Sequence, residues 1–225
     1  MARLCVWVSV GAASIFQLAC ATVPPESAPP PVPLGGAALA TNDTAGRPLV
    51  PAGFGSLHQD DLSFHMTAGG VLIRALPLDE SIIRLLTPDS YKAMRELQQN
   101  NSKMIDAVSR RYGGRRVSVW FVSFYGVEPD ARFIPQDLNI TSSGRDFRAL
   151  DLIPLTTNFS EQRLHQRETQ NALYLFDGDI ELDQLVTVSY QGLSDDSWDQ
   201  TLQRIERERA LIQARAHKTV PPTYE

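Results

Sequence analysis

Apolar and polar positions alternate along residues 54–217, and the period of the alternation separates strands from helices. Phe64-His65-Met66 and then residues 71–76 repeat every second position around Ala68-Gly69-Gly70, which predicts two strands joined by a tight turn. Residues 117–125 are apolar on both faces over most of their length, as expected of a strand covered on both sides in the middle of a sheet. Further strands are expected at 132–134, 138–141, 147–153, 172–176, 180–182 and 185–190, with turns such as Ser143-Gly144 between them. Turn signals recur at roughly the 8–12-residue spacing of an all-β sandwich.

Two stretches change to the helical period. Thr87-Pro88-Asp89 has the signature of a helix start, with Thr as cap and Pro in the first turn. Tyr91, Met94, Leu97, Met104, Ile105 and Val108 then keep helical spacing, with a break expected at Asn100-Asn101. Asp79 is placed to cap a short helix over 80–86. At the other end Trp198, Leu202, Ile205 and Ile212 form one stripe, and Arg204, Glu206, Arg207, Glu208 and Arg209 occupy the remaining positions. The expected fold is therefore mainly β: an immunoglobulin-like β-sandwich of about seven strands with an inserted helix and a C-terminal amphipathic helix. Residues 54–217 would form that domain and 218–225 a flexible tail.

The first fifty residues follow a different pattern. Arg3 is the sole charge before residue 26, and residues 4–19 are uncharged and mostly apolar, too short for a stable span but suited to a secretory signal. Eight of the fifteen prolines fall in residues 21–53, a stretch without apolar periodicity that favours an extended spacer. Residues 1–19 are thus expected to be a signal peptide and 20–53 a proline-rich tether.

Gln17-Leu18-Ala19-Cys20 resembles the lipobox of bacterial lipoproteins, with Gln17 standing where that family prefers an aliphatic residue. The resemblance implies lipidation of Cys20, and Ala21 rather than Asp after it is similar to lipoproteins forwarded to the outer membrane. Several acyl chains on one residue would supply stable anchoring. Ala19-Cys20-Ala21 also fits an ordinary signal-peptidase site with cleavage after Ala21, and an uncleaved anchor is the third alternative. With its tether and expected sandwich, the chain resembles bacterial envelope lipoproteins of this layout, a likeness that specifies location rather than activity.

Charge and chemistry narrow the function classes. A formal net charge of −5 argues against a nucleic-acid partner. The two cysteines, Cys5 and Cys20, both precede the domain, so neither disulfides nor a cysteine zinc site can form in its body. No G-x-S-x-G, Walker, H-E-x-x-H or EF-hand pattern occurs. His58, His65, His165 and His217 are too far apart in sequence to form a local metal pair. The acids of residues 177–183 could gather Ca²⁺, but strand alternation accounts for every residue in the run, with Ile180 and Leu182 inward. Arg110, Arg111, Arg115 and Arg116 place four guanidiniums in seven residues around Tyr112-Gly113-Gly114, a candidate polyanion-binding patch. No cofactor is expected. The reading that follows is a non-catalytic, membrane-anchored envelope lipoprotein that binds or scaffolds an envelope protein or polymer. The alternatives are a hydrolase acting on envelope material, with a site of dispersed Asp, Glu and His, and a small-ligand or metal carrier using His58, His65 and His165.

Overall fold

The computed structural model describes residues 46–219. The signal, Cys20 and most of the tether lie outside the described residues, as does the end of the tail. The described chain is mainly β, built of antiparallel sheets with a few helices.

The hairpin expected around Gly69-Gly70 forms between β1 (Phe64–Ala68) and β2 (Val71–Pro77), with Ala68 opposite Val71. Both glycines have positive φ, the requirement of the two-residue turn whose twist matches its strands. Asp79 caps α1 (Glu80–Ile83), accepting from the Ser81 amide at 2.9 Å. Pro88 starts α2 (Pro88–Asn100), and the chain breaks at Asn101 before α3 (Ser102–Arg111), so the inserted helical stretch is two helices. β3 (Val117–Gly126) follows. Two-residue β4 (Ala131–Arg132) leads into β5 (Leu138–Ser142), β6 (Arg145–Arg148) and β7 (Asp151–Pro154). Then come β8 (Arg163–Leu164), β9 (Thr169–Asp177), β10 (Val186–Tyr190), β11 (Leu193–Asp195) and α4 (Trp198–Thr219).

These strands form a five-stranded sheet ordered β1-β2-β3-β9-β7, a four-stranded sheet ordered β11-β10-β5-β6 and a small β4-β8 ribbon. The described residues therefore hold eleven strands where about seven are expected from the pattern. The span 147–153, expected as one strand, is shared between β6 in one sheet and β7 in the other. Residues 180–182 form no strand, although Ile180 and Leu182 are buried.

The inner face of the five-stranded sheet carries Phe64, Ile73, Trp120, Val122, Phe124, Tyr174 and Phe176, all buried. Phe124 meets Tyr190 of the second sheet at 6.2 Å between ring centroids, and Trp198 of α4 stacks on Phe64 at 4.9 Å. Trp198 and Tyr190 are thus core residues, and burying rings of this size is a main source of the fold's stability. Their polar atoms are satisfied: Trp198 Nε1 donates to Leu182 O at 3.0 Å, and Tyr190 Oη accepts from the Ile134 amide at 2.8 Å.

Helix α4 buries Trp198, Thr201, Ile205, Glu208 and Ile212 on one stripe, and Leu202 flanks it half-buried. Glu208 is a carboxylate in an apolar stripe, held by the Ser56 amide and hydroxyl, both at 2.9 Å, and by Arg215 at 2.8 Å. The same helix, together with Arg84 at the end of α1, fastens chain that precedes the sheets: Arg47 pairs with Glu206, Arg215 donates to Phe54 O, and Val50 is buried, its carbonyl accepting from Arg84. Gly55 lies so close to the Leu85 backbone that a Cβ would sit 2.3 Å from its carbonyl carbon, which leaves room for glycine alone.

Candidate functional site

The outer face of the five-stranded sheet divides in two. At one end Leu76, Leu173, Leu175 and Ile153 are buried, and α2 and α3 bring Met94, Leu97, Ile105 and Val108 to the core. Toward the β1-β2 turn the face is open. The strand expected to be covered on both sides, β3, is buried on its inner side from Trp120 to Gly126, while on its outer side Val117, Val119 and Phe121 are partly buried against the core and Ser123 is buried. Tyr125 and Phe121 remain half-buried, and Leu72 is 37% exposed.

Register determines what stands there. His65 pairs with Arg74, Arg74 with Ser123, and Ser123 with Asn171, so four neighbouring strands contribute one polar residue each to a row across the sheet. Leu72, Tyr125 and Thr169 form the next row on one side, and Phe121 belongs to the row on the other. The row spans about 14 Å at ~4.8 Å per strand, and Phe121 and Tyr125, four residues apart, are separated by about 13 Å along β3. With Asp60 these residues line a solvent-open hollow of about 420 Å³.

The charges in the hollow answer one another. Arg74 Nη1 donates to Asp60 Oδ1 at 2.7 Å, while His65 Nε2 lies 3.9 Å from the same oxygen, beyond hydrogen-bond distance. Asp60 is the single carboxylate among the lining residues, so the paired acids that glycoside hydrolysis uses are not assembled there. Ser123 is buried, and the Asn171 side-chain oxygen is shielded from solvent with no hydrogen-bond partner. Sequence reasoning singles out only His65 among these residues, because the rest become neighbours solely through strand register.

The arginine patch forms at the end of α3 and the start of β3, and its cations are largely engaged. Arg111 meets Asp151 at 2.9 Å, Arg115 meets Asp177 at 3.6 Å, and Arg116 meets Asp79 at 2.6 Å, while Arg110 is exposed. Three aspartates thus answer three of the four guanidiniums. Arg115 and Arg116 line a second hollow of about 480 Å³ with Tyr112, Leu150 and Asp177.

The acids of 177–183 are spread outward, as the alternation predicts. Asp177 pairs with Arg115, Asp179 with Arg145, and Glu181 accepts from Ser143. The histidines sit on separate elements: His58 before a short 3₁₀ turn, His65 on β1, His165 after β8 and His217 near the end of α4. Among the described residues no three His, Cys, Asp or Glu side chains are grouped to hold a metal ion. No described helix is long and apolar enough to cross a membrane.

Among the described residues, ionisable groups are displaced from their ordinary values at three tyrosines and one glutamate. Burial pushes the Tyr174 and Tyr190 hydroxyls up, as it does Tyr91, where the nearby Glu80 carboxylate adds to the effect. The Glu168 carboxyl is held down by hydrogen bonds from Gln170 and the His165 amide. Comparison with family models, with curated proteins and with solved structures finds no match to this chain.

Proposed function

We propose that the protein is a membrane-anchored envelope lipoprotein whose folded domain works as a binding module, with the open half of the five-stranded sheet as its binding surface. The observation that carries the binding part is the polar row His65-Arg74-Ser123-Asn171, set between aromatic positions on a rigid sheet. The lining is mainly polar, with Asp60, His65, Arg74, Ser123, Thr169 and Asn171 beside Leu72, Phe121 and Tyr125, a composition suited to a ligand that is itself rich in hydrogen-bonding groups. Support for the anchor comes from the sequence: the lipobox-like Gln17-Leu18-Ala19-Cys20 and the proline-rich stretch behind it.

A hydrolase reading gains little from this surface, since Asp60 is engaged by Arg74 and no second carboxylate lines the hollow. The finer architecture is part of the proposal. A shared aromatic core between two antiparallel sheets supports a sandwich, but β1, β2 and β3 run consecutively in one sheet, whereas the immunoglobulin order puts the second and third strands in different sheets. We therefore propose the layered sandwich without that strand order.

The test is the intact mass of the mature protein extracted with detergent from its native membranes. A chain beginning at Cys20 and carrying acyl groups is the expected result. A chain beginning at Thr22 without lipid overturns the anchored reading.

A further inference from the structure

We infer that the hollow on the open half of the sheet takes a neutral saccharide chain, an inference that rests on the binding-module reading and names its ligand. Sugars present two kinds of surface: rings whose C–H faces seek aromatic or apolar partners, and hydroxyls that need donors and acceptors arranged side by side. The outer face supplies both in alternation. Tyr125 offers a half-exposed aromatic ring, whose electron-rich face attracts polarised C–H groups, and Phe121, partly buried against the core, stands on the other side of the polar row. Between them runs the row of imidazole, guanidinium, hydroxyl and amide from His65, Arg74, Ser123 and Asn171. Planar polar side chains can meet adjacent hydroxyls with paired hydrogen bonds, and His65 and Arg74, which line the hollow, keep 42% and 30% of their side chains exposed.

Charge and position exclude the main competitors. Asp60 and Arg74 neutralise each other at 2.7 Å, so their pair leaves no formal charge to select an anion such as a phosphate or a nucleic acid. An extended peptide is captured through unpaired backbone groups at a sheet edge, whereas β2, β3 and β9 are each paired on both sides, and on the edge strand β1 the His65 amide already donates to Asp195 at 2.7 Å. An acyl chain would leave the polar row without partners, at the cost of desolvating each group. A neutral polyol with apolar ring faces answers both the exposed polar side chains of the hollow and the ring of Tyr125.

The experiment is saturation-transfer NMR on the full mature chain in detergent, with four neutral tetrasaccharides as probes: β-1,4-linked N-acetylglucosamine, β-1,4-linked glucose, α-1,4-linked glucose and mannose. Saturable binding of at least one is expected, about tenfold weaker in Tyr125→Ala and in Asn171→Ala. Tyr125→Leu keeps apolar bulk and removes the ring face, so it should show the same loss at an unchanged melting temperature. Leu211→Ala, on an exposed position of α4 that does not line the hollow, should bind as the parent does. No saturable binding of any probe below about 5 mM overturns the inference, as does binding that the Tyr125 and Asn171 variants leave intact. The two readings fail separately. A chain without lipid that binds through Tyr125 keeps the site and loses the anchor, and a lipidated chain that binds no probe loses the saccharide alone.

Discussion

Phe124 and Tyr125 are sequence neighbours on β3 with opposite roles. Phe124 points inward and is buried against Phe133, with ring centroids 4.4 Å apart, whereas Tyr125 points outward into the hollow and stays half-exposed. One face of the sheet is filled to completion, and the other is finished only where α2 and α3 lie. The contrast separates residues held by the needs of the fold from residues the fold leaves at liberty. Aromatic rings that packing does not require, placed beside polar groups, are the ones to examine for recognition.

The sharpest way to break this comparison is to truncate both rings. Phe124→Ala should cost about 3–5 kcal/mol in denaturant unfolding, and Tyr125→Ala less than about 1 kcal/mol. Equal costs would mean that the outer ring belongs to the core after all. Carboxylates allow the same contrast. Glu208 is 4% exposed and its Oε1 accepts from the Ser56 amide and hydroxyl and from Arg215, so Glu208→Gln should cost about 1–3 kcal/mol by the same measurement.

The inner-face tyrosines sharpen the comparison through pH. Burial raises the Tyr174 and Tyr190 hydroxyls, so the folded state prefers their neutral forms. Their contribution is fully present below the unfolded value near ~10 and is lost as pH rises from there toward the folded values. Melting temperature should therefore fall steeply above pH ~10. Tyr174→Phe should flatten that fall and cost about 1 kcal/mol at neutral pH, because the Pro135 carbonyl loses its donor. The smallest effect belongs to Asp60→Asn. Asp60 is 71% exposed and its ion pair is screened by water, so stability should change by no more than about 0.5 kcal/mol.

Local signals are legible in the sequence wherever a residue acts on its own neighbours. The Asp79 cap, the start at Pro88, the break at Asn100-Asn101 and the Gly69-Gly70 turn all depend on contacts within a few residues, and all appear where expected. Sheet membership is not legible, because an apolar run has the same pattern in either sheet. Residues 147–153 therefore read as one strand, although the chain passes from one sheet to the other at Ala149-Leu150. Ile180 and Leu182 alternate like a strand yet are buried without a ladder, since the Glu181 amide bonds to the Ser142 hydroxyl and Leu182 O to Trp198. The role of Glu208 is hidden because its partner Ser56 lies far away in sequence. The hollow is hidden for the same reason: His65 and Asn171 come into one row through three strand registers, none of which a single sequence states.

The fastening of residues 47–56 along α4 and α1 has a mechanical consequence. A pull applied to the chain upstream of Gly46 reaches the Arg47–Glu206 pair first, then the Val50 carbonyl held by Arg84, then the bonds of Phe54 and Ser56 to Arg215 and Glu208. These attachments follow one another along the chain and are made largely by side chains. Side-chain attachments at the periphery thus stand between the preceding chain and the two sheets, in the order in which a pull from upstream would meet them.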